Sequence, residues 1–174
     1  AMVVDDDDNL FAATSPDGRV YRIADDGTPE VFFDPDGLYI WAMVFDSEGR
    51  LLVATGDEGI IYRVDQDGDS EILYDSEETH IISLAIDGDG NVIAGGDPKG
   101  YLYRISEYGS VFVLHDSGMR EVHSVVVAGD GTIYAAILNP ENSARSSGAL
   151  TGASGVTVVG APISISIANS TPVA

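Results

Sequence analysis

WAMVFDSEGRLLVATGDEGIIYRVDQDGDSEILYDSEETHI, residues Trp41–Ile81, decides the fold. Moved 41 residues forward it lies on the chain again without a gap, so that Gly59-Ile60-Ile61-Tyr62-Arg63-Val64 falls on Gly100-Tyr101-Leu102-Tyr103-Arg104-Ile105. Moved back by the same step it meets Gly18-Arg19-Val20-Tyr21-Arg22-Ile23. Asp46 and Gly49 meet Asp87 and Gly90, and Asp75 meets both Asp34 and Asp116. A fixed period in this range marks a repeat architecture, each unit covering a face that its neighbour cannot bury alone.

Within the unit, Ala42–Phe45, Leu51–Thr55, Ile60–Asp65 and Glu71–Tyr74 are short runs rich in β-branched, aromatic and aliphatic residues. Three are near-continuously apolar, as strands covered on both faces are. Asp46-Ser47-Glu48-Gly49 and Asp67-Gly68 supply turn chemistry: an Asp to start the turn and a Gly free to take positive φ. No stretch holds a 3.6-residue apolar period, so helices are not expected. Four antiparallel strands in 41 residues predict an all-β partial β-propeller, with strands near 1–4, 10–14, 19–24 and 30–33 repeated at +41. The blades are 1–40, 41–81, 82–122 and the partial unit 123–137, about three and a half in all. Residues 138–174 form a Ser/Gly/Ala-rich loop or tail in which Val156–Val159 and Ile163–Ile167 are strand-like. These two runs read either as an excursion between the second and third strands of blade four, or as substitutes for its outer two strands. Ala1 aligns with Ala42, already inside a first strand, so the chain reads as part of a longer propeller.

The net charge of −21 belongs entirely to residues 1–137, which hold 28 of the 29 acids and 7 of the 8 bases. That surface repels nucleic-acid phosphates and anionic lipid, so neither is an expected partner. Cations or cationic peptides suit it better, although acidic turns also serve solubility and keep strand edges apart. No run reaches membrane-spanning length, and membrane insertion is not expected. The chain has no cysteine, which leaves the redox compartment open. An extracytoplasmic or secreted setting is the working expectation.

The run Phe45-Asp46, Gly49, Leu51, Val53-Ala54-Thr55, then Gly59, Ile61-Tyr62-Arg63-Val64 and Asp67-Gly68, resembles the blades of NHL-type propellers. Streptogramin lyases and the gluconolactonase group carry similar blades. The resemblance covers residues 1–137 and bears on architecture; such families include peptide and RNA binders, sensor ectodomains and metal-dependent enzymes.

Residues that recur in every unit read as scaffold. Tyr21, Tyr62 and Tyr103 are expected between blades, with Arg22, Arg63 and Arg104 paired to carboxylates such as Asp34, Asp75 or Asp116. Asp65–Asp69 and Asp87–Asn91 lack the glycine and glutamate of a calcium loop and read as ordinary turns. Residues that break the repeat carry more. Propeller topology puts Trp41, His80, Lys99, Arg120, Glu121 and His123 on one loop face or its rim, and these are the candidate ligand-binding residues. His123 stands where Trp41 and Ile82 stand in their blades, at the mouth of the axis. His115 aligns with Tyr74 and Phe33 in an outer strand, away from it. No nucleophile elbow, phosphate loop or His-Glu-x-x-His is present. The leading reading is therefore a scaffold without a cofactor that binds a ligand or protein on that face. The alternative is a lyase or lactonase holding a divalent metal such as Mg or Ca with His80, Glu121 and His123, as the lyase resemblance implies for a propeller mouth. Val3, Val4, Val126 and Val127 lie near the uncovered flanks of the outer blades, which predicts self-association or closure by the rest of a longer propeller.

Overall fold

The computed structural model describes residues 1–138 and the backbone of a strand at 155–159. Three four-stranded antiparallel meanders and a three-stranded sheet follow one another. Blade one is β1 (Met2–Val4), β2 (Leu10–Ala13), β3 (Val20–Ile23) and β4 (Pro29–Phe33). Blade two is β5 (Ile40–Phe45), β6 (Leu51–Thr55), β7 (Ile60–Val64) and β8 (Ser70–Asp75). Blade three is β9 (His80–Ile86), β10 (Val92–Asp97), β11 (Tyr101–Ile105) and β12 (Val111–Asp116). Blade four has β13 (Glu121–Val127), β14 (Ile133–Leu138) and β15 (Gly155–Val159). The described chain is thus the partial all-β propeller that the period predicts, without helices among the described residues.

The period-two alternation of a strand explains why the second strands are apolar throughout. Leu51 and Val53 face blade one and join Phe11, Val20 and Phe33 in one core. Their neighbours Leu52 and Ala54 face the other way and pack with Val92, Ala94 and Tyr103 of blade three. Ile93 repeats the pattern toward Val122, Val125 and Ile133 of blade four. Each fully buried side chain of this kind is worth about 1.5–3 kcal/mol, so the stacking of blades carries the fold. The same alternation corrects the reading of the flanks. Val4 and Val126 are exposed, whereas Val3 and Val127 turn inward against their own cores.

Tyr62 packs edge-on against Phe33 of blade one, and Tyr103 against Tyr74 of blade two, so these two of the three tyrosines lie between blades. The arginines pair otherwise than the sequence suggests. Arg22 bonds Glu30 and Arg63 bonds Glu71, each its direct cross-strand neighbour. In blade three that neighbour is Phe112, and Arg104 turns to Asp87 instead. Asp34, Asp75 and Asp116 sit at the opposite end of the fourth strand, and the partner of Asp34 is Arg19.

In blade four, Ala136 pairs with Val156, where the repeat would place residue 143 (Ile61 plus 82). The third-strand position is thus filled by a segment thirteen residues late, so the run at 156–159 substitutes for an outer strand of blade four. Ile163–Ile167 lies outside the described residues.

Candidate functional site at the mouth of the propeller

The first strands β5, β9 and β13 each carry one extra residue near their entry. Pairing skips from Ile40 to Ala42, from Ile81 to Ser83 and from Val122 to Ser124. The bulged residues are therefore Trp41, Ile82 and His123, the set that the sequence aligns. A bulge re-aims a side chain out of the pleat, and here it does so at one end of three successive blades.

In blade two the result is an aromatic shelf. Trp41, 45 % exposed, stacks on Tyr39 with ring centres 5.8 Å apart and 16° between planes. His80 meets the same indole edge-on at 5.8 Å. Its Nδ1 accepts the Asp57 backbone N–H at 3.1 Å, which fixes the ring. Gly56 lies beneath: a Cβ there would come within 2.5 Å of Trp41 Nε1 and 2.8 Å of His80 Nδ1. Only a glycine leaves room for the indole and imidazole to close over the backbone.

Polar pairs form the rest of the rim. Lys99 Nζ donates to Glu77 at 2.7 Å and stands 6.0 Å from the Tyr101 ring centre. The ammonium holds the Glu77 carboxyl below its ordinary range, and the carboxylate in turn raises the Lys99 pKa. Arg120 bonds Asp97 at 2.9 Å, and His123 Nδ1 lies 2.5 Å from Glu121 Oε1. His123 and Glu121 are thus brought together, while His80 is committed to the shelf of blade two. Among the described residues no three His, Asp or Glu side chains are grouped to hold a metal ion. His115 sits half-buried on β12, opposite Leu102.

One functional-face residue escapes sequence reading. Glu78, 4 % exposed, accepts from the Lys99 N–H at 2.8 Å and from the Tyr103 hydroxyl at 3.2 Å. Burial, and then the Glu78 carboxylate, push the Tyr103 pKa far upward, so that hydroxyl stays a donor. Beside Glu77 in an acidic loop it looks like solvent-facing charge. Its signal was a paired departure from the repeat, Glu78 for Gly37 together with Gly96 for Thr55.

No protein-family model matches the chain, and no curated protein sequence matches it. Solved structures do. A streptogramin B lyase superposes with a TM-score of 0.78 over 99 % of this chain at 14 % identity, and virginiamycin B lyase from Staphylococcus aureus with 0.75 over 95 % at 13 %. The chain spans 55 % and 53 % of their respective lengths, about half. A gluconolactonase-like protein matches with 0.58 over 79 % of this chain and 55 % of its own, at 18 % identity. The extracellular domain of a protein described as a one-component system of B. thetaiotaomicron matches with 0.64 over 78 % of this chain and 20 % of its own, at 17 % identity. At these identities the likeness is one of fold, and the fold is the β-propeller that streptogramin lyases and gluconolactonase-like proteins share.

Proposed function

We propose that the chain is a ligand-recognition segment of a β-propeller, binding a ligand or partner protein on the mouth face rather than transforming it. The observation that carries this is the shelf of Tyr39, Trp41 and His80, held over Gly56 with the indole still 45 % exposed. Rings locked by their neighbours lose little freedom when a flat apolar or aromatic surface settles on them. Lys99, Arg120 and Glu121, on the same face, add charge that can select among such ligands. The uncovered flanks at Val4 and Val126 fit closure by further blades or by a second copy. An extracytoplasmic setting agrees with the extracellular domain among the similar structures.

Trp41 is the sole tryptophan, so its emission reports the shelf directly. Titration with a library of aromatic-rich peptides is expected to give saturable changes in emission, with affinity falling roughly tenfold or more in Trp41→Ala. A library that binds the Trp41→Ala protein equally well, tracked by calorimetry, would remove the shelf from the proposal.

The second reading, a metal-dependent lyase, draws on the Glu121–His123 pair and the likeness to virginiamycin B lyase. Incubation with virginiamycin B and Mg²⁺, followed by mass spectrometry, separates the two. Conversion lost in His123→Ala would favour the lyase; calorimetric silence toward Mg²⁺, Ca²⁺, Mn²⁺ and Zn²⁺ favours recognition.

A further inference from the structure

At the other end of the propeller, remote from the mouth, the turns of neighbouring blades face each other across grooves, and two of these grooves are built differently. Between blades two and three, Arg63 crosses the groove. Its guanidinium donates to the Glu107 carbonyl of blade three at 2.8 Å and to Glu71 at 3.0 Å, with Nε 4.0 Å from Asp46. The remaining cavity is about 160 Å³. Between blades one and two, the repeat-equivalent Arg22 does not cross the groove: it bonds Glu30 within its own blade and lines one wall. There the cavity is about 530 Å³, within the roughly 300–1,000 Å³ of small-ligand sites.

The walls of the larger cavity keep the counterparts of two residues near Arg63, Asp5 for Asp46 and Gln66 for Glu107, while the third, Glu30, is held by Arg22. Asp5 stands where Asp46 stands one blade later, but its hydrogen-bond partner is the neutral Asn9 where Asp46 has Arg50, and the cation acting on it is Arg22 of its own blade. Asp65 and Glu48 add carboxylates from blade two. Beneath them lies an aromatic floor: Phe11 meets Phe32 at 5.0 Å and Phe45 at 5.3 Å, both edge-on. Phe32 is itself the bulged residue of β4, between paired Val31 and Phe33, and so points off the pleat into the groove. The groove thus offers carboxylates at the rim and ring faces below, while its neighbour shows what such a groove accepts from the chain itself.

We propose that the cavity between blades one and two binds the side chain of an arginine presented by a basic peptide segment. The guanidinium would meet the Asp5 and Asp65 carboxylates and the aliphatic stem the phenylalanine floor, the Asp5 contact repeating in trans the approach of Arg63 to Asp46. The site does not depend on the mouth-face proposal.

Calorimetry with the capped tripeptide acetyl-Gly-Arg-Gly-amide at 150 mM salt is the test, with its citrulline counterpart, agmatine and CaCl₂ as comparisons. The arginine peptide should bind saturably, and the uncharged citrulline peptide at least about tenfold more weakly. Asn9→Arg should abolish binding by placing a cation on Asp5 as Arg50 is placed on Asp46. Asp36→Asn, an equal change of charge at the far end, should leave it intact, as should Trp41→Ala. Agmatine binding as tightly as the peptide would identify a free amine as the ligand and overturn the peptide assignment. Equal affinity for citrulline, persistence in Asn9→Arg, saturation by Ca²⁺ alone, or heats that never saturate would each overturn the site.

Discussion

In blade two, Thr55 Oγ1 accepts the Ile60 N–H at 3.2 Å and donates to the Ile60 carbonyl at 3.0 Å, tying the second strand to the third at the mouth. In blade three the threonine position is Gly96, and the N–H equivalent to that of Ile60 belongs to Tyr101. It reaches Glu78 Oε1 at 3.4 Å, while Oε2 takes the Lys99 N–H. A Cβ on Gly96 would come within 2.5 Å of that carboxylate, so the glutamate fills the space a threonine would use. One backbone geometry is held by two chemistries. The repeat conserves the requirement that a hairpin N–H be satisfied, and leaves open which atom does it. The second solution puts a buried carboxylate beneath the rim of the mouth, where blade two has only hydroxyl and backbone.

The largest effect should come from breaking the second solution. Glu78→Ala leaves the Lys99 and Tyr101 N–H groups and the Tyr103 hydroxyl without their acceptor, and is expected to cost about 2–4 kcal/mol. Gly96→Thr alone should also destabilise, because its side chain meets the Glu78 carboxylate. Combining Glu78→Gly with Gly96→Thr rebuilds blade two's arrangement. The double variant should therefore be more stable than the sum of the single losses by about 1–3 kcal/mol. Urea unfolding of the parent, Glu78→Gly, Gly96→Thr and the double variant gives the coupling, and strict additivity would mean the two positions do not substitute for each other.

Tyr103 sharpens the contrast through pH. Burial and the neighbouring carboxylate raise its pKa in the folded chain, so the folded protein keeps a proton that the unfolded chain loses near pH 10. Below that pH the raised pKa costs nothing. Above it the unfolded state binds fewer protons than the folded one, and stability falls as pH rises. Tyr103→Phe should lose about 1–2 kcal/mol at neutral pH with the bond to Glu78, and show a shallower decline above about pH 10 than the parent. Parallel slopes in both proteins would show that Tyr103 does not carry the alkaline limb.

How legible this was follows from what alternation and repetition can encode. Leu51–Ala54 announces a strand buried on both sides because every residue of the run is apolar. The bulge at Trp41, Ile82 and His123 was visible only as an alignment column; that the column leaves the pleat depends on pairing, which no single strand states. The arginine partners were misassigned because Asp34, Asp75 and Asp116 recur in every unit whereas Glu30 and Glu71 do not. Register, not recurrence, chooses the partner, and Phe112 in the third unit hid the rule. Glu78 was unreadable by itself, since one acid among many has no burial signal. It becomes readable beside Gly96, two departures that make sense only together. The metal reading groups His80 with His123 because both interrupt the repeat on one face, but His80 is held by Trp41 and Asp57 of blade two and His123 by Glu121 of blade four.

The smallest expected effect compares one bond in two places. Thr14 repeats the Thr55 arrangement in blade one, accepting the Arg19 N–H at 3.3 Å and donating to its carbonyl at 3.4 Å. Both groups there are exposed, whereas around Thr55 they are buried. Removing a hydroxyl from a buried N–H leaves that donor unsatisfied, while an exposed N–H turns to water. Thr55→Val is therefore expected to cost about 1–2 kcal/mol and Thr14→Val only a few tenths, roughly the scatter of a surface substitution. Thermal or urea unfolding of the two variants side by side reads the difference. Equal losses would mean that blade one is covered in solution, by a neighbouring blade or a second copy, at the place where Thr14 lies open in the chain alone.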